Sequence, residues 1–95
     1  MPYAIPESVH FNQVDNEVVI LDEVSDGYLA LNEVGATIWG AIVDGLDLAD
    51  IAGRVVARFE VDSEQAVADA TEFVSVLLER GLVRVQLPGS PQSSK

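Results

Sequence analysis

Tyr28-Leu-Ala-Leu-Asn32, followed by Glu33-Val-Gly-Ala-Thr-Ile-Trp39, is where the chain changes period. Up to Leu31 the apolar residues are consecutive, as in a short strand. From Asn32 they recur at helical spacing, with Val34, Ile38, Ala41 and Ile42 on one side. Asn32 is a good N-cap, and Asp44-Gly45 ends the helical segment. Before Tyr28, Ser25-Asp26-Gly27 and Asp15-Asn16 are turn signals separating strands over Glu17–Asp22 and Val9–Val14. The β-branched run in Glu17–Asp22 reads as a strand buried on both faces. Short turns make a meander, so Glu17–Asp22 takes the centre and Tyr28–Leu31 an edge. His10, on the weakest strand, reads as solvent-facing or hydrogen-bonded rather than as a ligand.

After Gly45, Asp47 caps a second helix with Leu48, Ile51, Ala52, Val55 and Phe59 on one side. Ser63 caps a third, running to about Arg80, with Gly81 in the C′ position. Leu82–Val85 adds a short final strand. The expected class is α+β and winged helix-turn-helix-like: a three-stranded antiparallel sheet followed by three helices. One domain over residues 1–87 is expected, with a polar, low-complexity tail over 88–95 that adds nothing to a core.

The 95 residues carry five Lys or Arg against sixteen Asp or Glu, a formal charge of −11. That charge argues against a nucleic-acid partner, because neutralising phosphates requires basic side chains. The third helix, which would enter a major groove, carries Glu64, Asp69, Glu72 and Glu79 against Arg80 alone. No cysteine is present and His10 is the sole histidine, so no metal site or cofactor is expected. There is no P-loop, no dinucleotide fingerprint and no nucleophile elbow, and an enzyme is not expected. No apolar run approaches membrane-spanning length and the start is unlike a signal peptide. The expectation is a cytoplasmic protein without a membrane partner.

Tyr28–Leu31 bears none of the Lys, Pro or bulge devices that guard an exposed sheet edge. Two readings stand. A helix or the chain's own final strand covers the edge, or the edge docks an extended peptide. On the third helix Val67, Ala70, Val74, Leu77 and Leu78 read as the core stripe, with Ala66, Asp69, Phe73 and Val76 along its flank. Phe73 and Val76 either pad the core margin or, with the helix beside the edge strand, floor a groove.

Val19-Ile-Leu-Asp22, Gly27-Tyr-Leu-Ala-Leu-Asn32, Gly35-Ala-Thr-Ile-Trp39 and Leu77-Leu-Glu-Arg-Gly-Leu82 together resemble the PqqD family, also called precursor-peptide recognition elements. The resemblance spans about Val9 to Val85 and is strongest to the stand-alone leader-binding proteins of lasso-peptide clusters. It implies binding of the leader of a ribosomally made precursor peptide, added antiparallel to the third strand and packed on the third helix. The implied peptide-binding residues are Gly27, Tyr28, Leu29, Ala30 and Leu31 on the strand, and Ala66, Asp69, Phe73 and Val76 on the helix. The implied partners are the precursor and a leader peptidase or other maturation enzyme. Besides a structural or transcription-related winged helix acting through protein contacts, two alternatives compete. One is a chaperone delivering a precursor to a radical SAM enzyme in pyrroloquinoline quinone biosynthesis. The other is an acidic carrier, for which Asp62-Ser63 lacks the following Leu and the strands are out of place.

Overall fold

The computed structural model describes residues 2–15, 17–24 and 26–85. The tail expected over 88–95 lies outside them. In chain order the elements are β1 (Tyr3–Ala4), β2 (Val9–Val14), β3 (Glu17–Asp22), β4 (Gly27–Leu31), α1 (Glu33–Val43), α2 (Leu48–Arg58), α3 (Ser63–Glu79) and β5 (Arg84–Val85). β2, β3 and β4 form an antiparallel sheet in that order. Asp15, at φ 56°, makes the tight β2–β3 turn, and Asp26, at φ 58°, lies in the turn before β4. The expected α+β class and the meander are both present.

Helix ends are set locally. The Gly35 N–H donates to Asn32 Oδ1 at 3.0 Å and the Asp50 N–H to Asp47 Oδ1 at 2.9 Å, as the capping residues require. The third cap is Asp62, not Ser63: its Oδ1 accepts from the Gln65 N–H at 2.8 Å, and Ser63 is already helical. At the other end Gly81, at φ 74°, closes α3 in a Schellman turn. Its N–H donates to Leu78 O at 3.1 Å, and the Leu82 N–H donates to Leu77 O at 2.9 Å. α2 stops at Arg58, so Phe59 follows the helix rather than extending its stripe.

α1 packs on β3 and β4, and α2 packs against both α1 and α3. The core draws Val18 and Ile20 from β3, Ile38, Trp39 and Ile42 from α1, Ile51 and Val55 from α2, and Ala66, Ala70, Val74 and Leu77 from α3. β3 is therefore buried on one face and not on both. The helices collect on the side of Val18 and Ile20, and Leu21 on the opposite face is 49% exposed. β5 pairs with β1, an N-terminal strand that nothing in the sequence before Val9 signals. The final strand therefore does not lie on β4.

The α3 stripe is also turned from its expected phase. Ala66 is 0% exposed, whereas Val67 is 45% and Leu78 36% exposed. Hydropathy ranks Val and Leu above Ala, but alanines at 66 and 70 suit the line of close helix approach. Ala66 is thus a core residue, inaccessible to any ligand at the helix flank.

Candidate functional site: an open sheet edge and its groove

The hydrogen-bonding phase of the sheet follows from one contact. The Glu23 N–H donates to Ser8 O at 2.9 Å, directly beyond the Val9–Asp22 pair. Bonded and non-bonded pairs alternate along an antiparallel ladder, so 10–21, 12–19 and 14–17 are the bonded pairs between β2 and β3. Val18, Ile20 and Asp22 then turn their backbone groups to β4, where they meet Leu31, Leu29 and Gly27. The N–H and C=O groups of Tyr28 and Ala30 consequently point away from the sheet. Both residues are exposed, Tyr28 at 70%. Among the described residues β4 has a single strand partner, β3.

Alternation puts Leu29 and Leu31 on the inner face, half-buried and buried, above a cleft of about 390 Å³. Its lining runs through β4 (Leu29, Ala30, Leu31), the start of α1 (Asn32, Val34, Gly35, Ile38) and α3 (Asp69, Glu72, Phe73, Val76). A second cleft of about 240 Å³ continues along β4, lined by Ile20, Asp22, Gly27, Tyr28, Leu29, Arg80 and Leu82. Leu29 belongs to both, so the two form one groove beside the open edge.

The helix wall has a simple origin. Asp69, Phe73, Val76 and Arg80 follow one another at steps of four, three and four, one face of a helix. Gln65 Nε2 donates to Asp69 Oδ1 at 2.8 Å, steadying that carboxylate one turn along. Phe73 is half-buried: one side packs on the core and the other lines the cleft.

Eight of the nine residues singled out from sequence therefore line the groove: Gly27, Tyr28, Leu29, Ala30, Leu31, Asp69, Phe73 and Val76. Ala66 does not, for the reason given above. Sequence reasoning missed the α1 contribution of Val34, Gly35 and Ile38, and it missed Arg80. Arg80 had a signal, since it falls seven residues after Phe73 on the same face. Asn32 also lines the groove, besides capping α1.

Among the described residues no group of three or more His, Cys, Asp or Glu is placed to hold a metal ion, and no helix is long and apolar enough to cross a membrane. His10 pairs with Glu23 at 3.0 Å on the surface, far enough exposed to add little stability.

A small α+β domain whose β4 edge, among the described residues, has no strand partner on its outer side and runs beside the helix face that carries Phe73 and Val76 is the class these features define. The family model for coenzyme PQQ synthesis protein D (PqqD) matches residues 17–83, and the chain belongs to that family. No curated protein sequence matches it. Two solved structures are similar over 88% of this chain. One is TbiB1 in complex with the TbiA(beta) leader peptide, at 26% identity and a TM-score of 0.82, with 98% of that chain covered. The other is lasso peptide synthetase B1 complexed with the leader peptide, at 28% identity and a TM-score of 0.80, with 99% covered.

Proposed function

We propose that this chain binds the leader of a ribosomally made precursor peptide and presents it to a leader peptidase in lasso-peptide maturation. The leader adds to β4 as an antiparallel strand. Its main chain bonds to Tyr28 and Ala30, and its inward side chains enter the groove formed by Leu29, Leu31, Phe73 and Val76. Gly27 and Asp69 flank the docked segment at its two ends. The observation that carries this reading is the outward pair of backbone positions, Tyr28 and Ala30, beside an apolar cleft. Two similar structures are leader-peptide complexes, which supports leader binding by this chain.

The physical logic is that of a scaffold. A disordered leader loses entropy on docking, so affinity must come from edge bonds plus a few buried anchors. Once held, its processing site reaches the enzyme at a high effective concentration. No step of bond chemistry is assigned to this chain.

The test is to identify a short precursor gene in the gene neighbourhood and titrate its fluorescein-labelled synthetic leader by anisotropy. Saturable binding that Phe73→Ala weakens supports the reading, and absence of binding opposes it. The family description favours a second reading, delivery of a precursor to a radical SAM enzyme for the quinone cofactor. Co-elution of the loaded protein with a leader peptidase or with a radical SAM enzyme separates the two. An acidic carrier role has no support in a chain with a three-stranded sheet.

A further inference from the structure

The groove is electrically polar along its length. The larger cleft, beside Leu29–Leu31, has Asp69 and Glu72 on its wall. The smaller one, beside Gly27–Leu29, has Arg80, the one cation that lines either cleft among the described residues. Arg80 is exposed, and it takes part in neither the His10–Glu23 nor the Arg54–Asp44 ion pair. Asp22 lines the same cleft, but its Oδ1 accepts from the Val24 N–H at 3.1 Å and belongs to the turn that leads into β4. A cation at a helix C-terminus also complements the helix dipole, a role that any solvent-directed side chain would serve. What sets Arg80 apart is its place on the Phe73 face, over a floor of Ile20, Leu29 and Leu82.

We propose that the groove reads charge order in its guest: a carboxylate held by Arg80 at the Gly27 end, and a basic side chain facing Asp69 and Glu72 at the Leu31 end. This rests on the strand-docking reading above and adds the chemistry and direction of the guest. Guest residues opposite Leu31, Leu29 and Gly27 share the inner face, because side chains alternate along a strand. For an antiparallel guest the N-to-C pattern is basic, any, apolar, any, acidic. The apolar residue sits over Leu29 and Phe73. The guanidinium fork takes a carboxylate in two parallel hydrogen bonds, and the apolar floor and the guest itself screen that pair from water. Bulk attraction to a chain of charge −11 would instead favour guests basic throughout. One acid at a fixed place distinguishes the two.

The test is phage display of random dodecapeptides on the immobilised full chain, on Arg80→Glu and on Ala30→Pro, each variant confirmed as folded by circular dichroism. The wild-type protein should enrich peptides with an acid four positions C-terminal to a base and an apolar residue between them. Arg80→Glu should replace that acid by Lys or Arg and bind the wild-type peptides about tenfold more weakly. Ala30→Pro should enrich nothing. Identical consensus sequences from wild type and Arg80→Glu, uniformly basic peptides, or an acid preceding the base each overturn the charge order. They leave strand docking standing so long as Ala30→Pro abolishes enrichment. No enrichment by wild type, or the same peptides on Ala30→Pro, overturns the docking itself and the charge order with it.

Discussion

A β-carbon on Gly35 would lie 3.3 Å from Phe73 Cζ and 3.3 Å from Leu31 Cβ. Gly35 is thus the point where the end of the edge strand, the first turn of α1 and the groove face of α3 converge. Its missing side chain lets the Phe73 ring lie flush against the start of α1. The floor of the larger cleft depends on that contact.

Gly35→Ala should leave stability within about 1 kcal/mol of wild type, since helix propensity gains what crowding loses. Leu31 is buried and cannot yield, so the Phe73 ring must move toward the groove. Leader affinity should fall while the thermal transition barely shifts. Gly35→Val should also lose on the order of 1–3 kcal/mol by overpacking. Denaturant titration and anisotropy on the same samples check both effects. Unchanged affinity in Gly35→Val would remove Phe73 from the binding surface.

Proline distinguishes the two sides of β4. The Leu29 N–H faces β3, so Leu29→Pro should lose a ladder bond and cost on the order of 3 kcal/mol. The Ala30 N–H faces outward, where proline is tolerated, so Ala30→Pro should cost within about 1 kcal/mol. It should nonetheless abolish leader binding. Urea midpoints and titration of both variants check the contrast, and a severely unfolded Ala30→Pro would contradict the assigned phase.

The two flanks of α3 should respond differently to truncation. Phe73→Ala removes a half-buried ring, at a cost of about 1–2 kcal/mol. It should weaken leader binding by roughly tenfold or more. Leu78→Ala, on the opposite flank and 36% exposed, should leave affinity unchanged. Equal losses of affinity from the two would argue for a general loosening of the helix.

Trp39 is the only tryptophan and is 1% exposed, with its ring edge-on to Phe11 at 5.3 Å between centroids. It does not line either groove cleft. Its emission should therefore report global unfolding and stay fixed when leader docks. A marked spectral shift at leader saturation would show that the core rearranges on binding.

Much of this was legible in the sequence because the signals were local. Asn32, Asp47 and Gly81 mark helix ends through hydrogen bonds to their own neighbours, and the turn before Gly27 orders the meander. The misreadings were of tertiary origin. Val19 and Leu21 read as buried because β-branched and apolar residues are consecutive there, yet the helices occupy one face alone. Ala66 reads as a flank residue because hydropathy cannot say where two helices come closest. Tyr3–Ala4 and Arg84–Val85 find each other from opposite ends of the chain, and two-residue strands carry no periodicity. The edge itself was visible as an unguarded apolar strand. Which of its amides face outward needed the register of all three strands.

Amide hydrogen exchange at Tyr28 and Ala30, measured residue by residue by NMR on free and leader-saturated protein, tests the strand-docking claim most directly. The account predicts that both amides exchange readily in the free protein and become strongly protected together on saturation, while Leu29 and Leu31 are protected in both states. Exchange at Tyr28 and Ala30 that remains unprotected with leader fully bound would show that the peptide docks elsewhere.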